Sequence, residues 1–172
     1  MNAWQAIRQL QYVLRRQKWT GSTNVVFASG SVIITAGVAE EVAEKVVMPA
    51  AIIIPGGLTV DKDFKDYVSQ EVIVRLTVSQ AGDALGEMTV VGGHRTSQTR
   101  SQGRGLMEVE EELFNAAELL NTDDGIVVQF KGSSALRVQS VDSQFLVWRD
   151  YMFALETSAD RMYHPVINLV ES

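Results

Sequence analysis

Gln144-Phe-Leu-Val-Trp-Arg-Asp-Tyr-Met-Phe-Ala-Leu-Glu156 is the stretch whose reading decides the fold. As a strand, its odd positions put Phe145, Val147, Tyr151, Phe153 and Leu155 on one face, and its even positions put Leu146, Trp148, Met152 and Ala154 on the other. A strand half in water alternates apolar with polar residues, whereas one that is apolar on both faces needs a cover on both. Helices of the same chain can supply one cover. The other must be a further layer or another copy of the protein.

Moving back from this strand, Ile126–Phe130 and Leu136–Val141 predict two more strands, so that three follow one another with short turns at Lys131-Gly-Ser-Ser134 and Asp142-Ser143. Before them, Leu106–Asn121 predicts a helix whose stripe Leu106, Val109, Leu113, Ala116 or Ala117, and Leu120 faces the core, with Phe114 beside it. Glu108, Glu110, Glu111 and Glu112 crowd its first half, where the helix dipole favours negative charge. Glu108 and Glu112 are four apart and share a face, but no motif supplies further cation ligands, so the spacing predicts a solvated acidic face.

Earlier still, Val68–Ser79 alternates cleanly, with Val68, Val72, Val74, Leu76 and Val78 pointing one way, as in a strand with one wet face. The charged connection Asp61–Asp66 precedes it, and Ala50–Ile54 predicts a buried strand closed by Pro55-Gly56-Gly57. Val25–Ala28 and Val32–Thr35 are short β-rich runs around a turn at Ser29-Gly30-Ser31, and Val38–Val47 suggests a short helix stopped at Met48-Pro49. Asn2–Lys18 predicts an amphipathic helix with Trp4, Ile7, Leu10 or Gln11, and Leu14 on its packed stripe. Arg8, Arg15, Arg16 and Lys18 gather toward its C-terminal end, which suits the dipole. A membrane-surface or nucleic-acid helix would want a more continuous basic face.

Residues 80–105 form a long polar arm in which Met88–Val91 suggests a short strand. From Gly92 to Gly105 no side chain is apolar, and His94, Arg95, Arg100 and Arg104 meet no balancing acid. A loop of this length in a compact domain is functional or disordered. Residues 158–172 form a C-terminal tail that docks through Val166, Ile167 and Leu169 or stays loose. No repeat or linker divides the chain, so residues 1–172 form one domain. Its class is α+β: helices on one face of a mainly antiparallel sheet, with a long extended arm.

At 172 residues, with 46% hydrophobic and 21% charged residues, the chain can bury a core without staples. It has no cysteine, hence no disulfide framework, thiolate metal site or cysteine nucleophile. The net charge of -6 argues against an overall polyanion-binding surface. The N-terminus has no signal-peptide core, and the greasy runs are too short to span a bilayer, which predicts a soluble protein. His94 and His164 are isolated and no HExxH occurs, so no metal is expected. Gly103-Arg-Gly105-Leu-Met-Glu108 lacks the phosphate-loop pattern, and its glutamates would repel phosphate, so no cofactor is expected. No GxSxG elbow is present. These absences describe a structural subunit rather than an enzyme, with surplus apolar strand surface buried by a neighbouring copy and an arm reaching another subunit.

The layout resembles the tail terminator (tail completion) proteins of long-tailed bacteriophages. The resemblance rests on the helix Trp4–Leu14 and on Met48-Pro-Ala-Ala-Ile-Ile-Ile-Pro55, a proline-flanked apolar strand. It continues through Glu71-Val-Ile-Val-Arg-Leu-Thr-Val78, the arm, the helix Leu106–Leu120, and the closing strands Gly125–Phe130 and Phe145–Leu155. It is a likeness of order and pattern over most of Asn2–Thr157. It implies a virion protein assembled in the host cytoplasm as a homo-oligomeric, hexameric ring. Such a ring caps the tail tube protein, halts its polymerisation and meets a head-proximal neck or connector protein. DNA would pass through the lumen without specific binding. His94, Arg95, Arg100, Arg104, Trp148 and Tyr151 are the expected interface residues. The alternatives are another neck, head-completion or adaptor protein, and a small-ligand module using the arm arginines.

Overall fold

The computed structural model describes residues 3–36, 46–60, 67–80, 83, 86–92, 105–123, 126–141 and 144–158. It is α+β, with a mixed, mostly antiparallel six-stranded sheet and three described helices. In chain order these are α1 (Ala3–Arg16), β1 (Val32–Ile34), β2 (Ala50–Val60), β3 (Tyr67–Gln80), α2 (Glu87–Val91), α3 (Leu106–Asp123), β4 (Val127–Ser133), β5 (Arg137–Val141) and β6 (Gln144–Ser158).

The sheet grows outward from β6, the strand with two apolar faces. One edge of β6 pairs with β3 from Gln80↔Phe145 to Tyr67↔Ser158 without a break. Its other edge is shared end to end by β4 and β5. β3 then pairs antiparallel with β2, and β2 pairs in parallel with the short β1. The alternation of Val68–Ser79 sends Val72, Val74, Leu76 and Val78 to the face that α1 and α3 cover. Ala6, Ile7, Leu10 and Leu14 of α1, with Leu106, Val109, Leu113, Ala116 and Leu120 of α3, complete that core. Burying each such aliphatic side chain stabilises by roughly 1.5–3 kcal/mol, which is what holds the helix layer down.

Several elements depart from the sequence expectation. Lys131–Ser134 is no hairpin turn, because β4 runs on into β5 along the same edge of β6. The register shifts between Phe130 and Gly132, where Gly132 takes a φ of 141° that suits glycine. Beyond it Ser134 keeps the ladder closed: its N–H donates to the Asp150 carbonyl (2.8 Å), and its Oγ accepts from the Asp150 N–H (3.0 Å). Turn-type residues were here the signature of a bulge. β2 likewise does not stop at Pro55 but bulges between Pro55 and Leu58 and continues to Val60.

Met88–Val91 belongs to a helix, not a strand. Asp83 Oδ2 accepts from the Thr89 N–H and Oγ1, both at 2.7 Å, and so anchors α2 in the way a capping carboxylate does. Val25–Ala28 forms only a single bridge, Lys18↔Val25, although Val26 and Phe27 are buried. Trp4 leaves the expected stripe of α1 and Ala6 is packed instead, while Leu10 and Gln11 are both buried and Gln11 Nε2 donates to the Val32 carbonyl (3.0 Å). The readings for Val38–Val47, Asp61–Asp66 and the 158–172 tail fall on residues that lie, wholly or nearly so, outside the described ones.

Part of the range expected for the arm is therefore helical, in α2, while residues 93–104 lie outside the described ones. Gly92 and Gly105 lie against each other, since a Cβ on Gly105 would collide with the backbone of Gly92. Gly105→Ala forces one backbone segment to move, and its expected cost is about 1–3 kcal/mol in urea denaturation. Gly57→Ala, whose Cβ would meet only the Glu71 carboxylate at 3.6 Å, should stay within about 0.5 kcal/mol of the parent.

Candidate interaction surface

All three described helices lie on one face of the sheet, so the even-numbered residues of β6 project to the opposite face. Registers place these residues in rows across the strands. Ala50, Thr77, Trp148 and Arg137 make one row, Ile33, Ile52, Arg75 and Asp150 the next, and Ile54, Ile73, Met152 and Gly132 a third.

At the centre is an ion pair with fixed geometry. Arg75 Nε donates to Asp150 Oδ1 at 2.7 Å and Nη2 to Oδ2 at 3.0 Å, the two-pronged fit of a guanidinium on a carboxylate. The guanidinium carbon sits 5.8 Å from the centre of the Trp148 ring. Around this pair the face is partly covered by its own side chains. Ile52 is buried, with Met48 and Ile54 packed on it, and Thr77 and Ala154 are buried too. Trp148, Leu146 and Ile73 are half-buried, and Met152 is 42% exposed. The second cover that the sequence called for is thus incomplete among the described residues.

The helix-facing side of β6 holds further internal polar contacts. Tyr151, expected at an interface, is 0% exposed, and its hydroxyl donates to Glu110 Oε2 (2.7 Å). That expectation is corrected: its odd-numbered position aims it under α3, edge-on to the Phe114 ring. Burial, and then the bond to the Glu110 carboxylate, push the phenol's titration up, so it remains protonated at any physiological pH. Arg149 Nη1 donates to the same Glu110 oxygen at 3.3 Å.

The first turns of α3 are likewise not the solvated acidic face that their spacing suggested. Glu112 is only 3% exposed and is held by four donors. Oε1 accepts from the Thr20 N–H (2.8 Å) and Oγ1 (2.7 Å), and Oε2 from Gln17 Nε2 (2.8 Å) and Asn115 Nδ2 (3.2 Å). This fastens α3 to the turn after α1. Burial opposes its ionisation, but the Thr20, Gln17 and Asn115 bonds outweigh burial and hold the carboxyl below its ordinary 4.5. Glu108 lies instead against Gly92, so the two carboxylates do not converge. Among the described residues no group of three or more His, Cys, Asp or Glu could hold a metal ion, and no helix is long and apolar enough to cross a membrane.

Compared with known proteins, the chain matches no family model and no curated protein. The geometry therefore carries the functional reading. Of the expected interface residues, Trp148 lies on the helix-free face and Tyr151 beneath the helices. His94, Arg95, Arg100 and Arg104 lie outside the described residues. The sequence reading missed the pairing of Arg75 with Asp150 and placed Trp4 in the core, whereas it is exposed. The cross-strand pair was hidden because its members are 75 positions apart and register links them.

Glu112 supplies a pH test with a defined sign. Its folded-state titration is lowered, so its stabilising contribution is complete above about 4.5 and is lost as pH falls through the lower folded value. Glu112→Gln removes an acceptor from buried donors and should cost about 1–3 kcal/mol at neutral pH. In urea melts from pH 7 to pH 3, the gap between parent and variant should narrow below pH 4.5. A constant gap would contradict the assignment.

Proposed function

We propose that this chain is a ring-forming structural subunit of the tail-terminator kind, closing the head-proximal end of a phage tail tube. The observation that carries the reading is the sheet face on which no described helix packs, around Trp148, Ile73 and Met152, where the paired Arg75 guanidinium lies amid partly exposed apolar side chains. Arginine and large aromatics are the residues that interface cores favour. The order of the main elements also supports the resemblance: a leading amphipathic helix, a strand that follows Pro49, a long central strand, the helix α3, and closing strands.

In this reading the face is covered on assembly, where the tube end or neck protein supplies its missing layer. The subunit stops polymerisation because it presents the tube with a matching surface on one side and a different surface on the other. A net charge of -6 suits a ring through which DNA must slide, since like charge discourages adhesion. A tail-completion subunit of this type carries no catalytic residue and needs no cofactor.

Negative-stain images of the purified chain, alone and with tail-tube protein, should show closed rings and tubes capped at one end. Met152→Glu should leave the subunit's own stability within about 0.5 kcal/mol, because the side chain is already exposed, and should abolish capping. A particle that stays monomeric even with tube protein would contradict the proposal.

A further inference from the structure

The displacement of Trp4 from the core leaves α1 with an unusual outer face. Trp4, Arg8, Tyr12 and Arg16 follow at intervals of four residues, and all four are exposed, Trp4 by 62% and Tyr12 by 47%. Such residues stack along one side of a helix, about 6 Å apart. The Arg16 guanidinium sits 4.3 Å from the centre of the Tyr12 ring, so the pair holds itself outward in order. Trp, Tyr and Arg are the residue types that carry most binding energy at protein interfaces.

The face is also cationic in an acidic protein. The first 39 residues carry Arg8, Arg15, Arg16 and Lys18 and no acid, so the remaining 133 carry a net charge of -10 in a chain of net -6. Some of that negative charge is displayed on the outer side of α3, where Glu111 and Glu118 are exposed beside the exposed apolar side chains of Met107 and Leu119. Arg8 and Arg16 are about 12 Å apart along their helix, and Glu111 and Glu118 about 10.5 Å along theirs, close enough for both ion pairs to form together. The aromatics of one face then meet the aliphatics of the other.

We propose that the outer face of α1 on one subunit docks on the outer face of α3 on the next, and that this contact is the lateral joint of the ring. The inference rests on the ring reading above. Because the two faces differ, a head-to-tail joint between them can repeat around an axis until it closes. It leaves the helix-free sheet face available for the tube or neck protein. The occupant is a second copy rather than nucleic acid, because the chain itself supplies the matching acids and apolar groups at the required spacing.

Charge reversal tests it, read by sedimentation velocity and native mass spectrometry, with circular dichroism to confirm folding. Arg8→Glu with Arg16→Glu, and separately Glu111→Lys with Glu118→Lys, should each weaken ring assembly roughly a hundredfold, since like charges then face each other. Mixing the two variants should restore rings of alternating subunits, because every joint is again complementary. Salt at about 1 M should weaken the parent ring. Rings that persist in both variants would overturn the joint while leaving the ring reading intact. A parent chain that is monomeric even with tube protein would overturn both. Retention of a labelled oligonucleotide by the parent that is lost in the arginine variant, with ring size unchanged, would assign the face to a polyanion and overturn the joint.

Discussion

The unbroken antiparallel pairing of β3 with β6, from Tyr67↔Ser158 to Gln80↔Phe145, is the constraint on which the rest of the molecule depends. A strand's side chains alternate strictly, so one register fixes which residues of both strands face the helices. A slip of one position would bury Arg75 and Asp150 under α3 and expose Val74 and Tyr151. The Arg75–Asp150 pair, directly opposed in the register, adds a polar lock on the helix-free side. The other strands inherit this alignment: β2 and β1 through β3, and β4 and β5 through β6.

Charge inside the helix layer serves the same end. Glu110 ties α3 to β6 through Tyr151 and Arg149, while Glu112 ties it to the turn after α1. A buried carboxylate is costly unless donors surround it, and Glu112 has four. Two neighbouring glutamates therefore orient one helix against two different elements. Greasy packing alone, through Leu113 and Leu120, would leave α3 freer to rotate about its axis.

Much of this was legible in the letters, and the reasons it failed elsewhere are physical. Period-two alternation in Val68–Ser79 and the stripe of Leu106–Leu120 were strong signals, and both elements formed as their patterns require. Turn chemistry was ambiguous: Gly132 and Ser134 serve a bulge as readily as a hairpin, and Pro55-Gly56-Gly57 bends β2 without ending it. Met88–Val91 is too short for its period to separate helix from strand, and the Asp83 anchor decides it. On α1 the wide hydrophobic stripe could accommodate either Trp4 or Ala6, and only packing chose Ala6. Arg75 and Asp150 could not be paired without the register.

The proposed function rests on a difference between the two faces of the sheet among the described residues. Helices close the face bearing Tyr151, and the face bearing Trp148 is closed only in part by its own side chains. Everything depends on the β3–β6 pair being the most persistent unit of the fold. Native-state amide hydrogen exchange measures this directly. The account predicts that amides of Val72–Val78 and Val147–Leu155 exchange only through global unfolding, with α1, β1 and β5 opening at lower free energy. Amides of α1 or α3 that outlast both strands would contradict it.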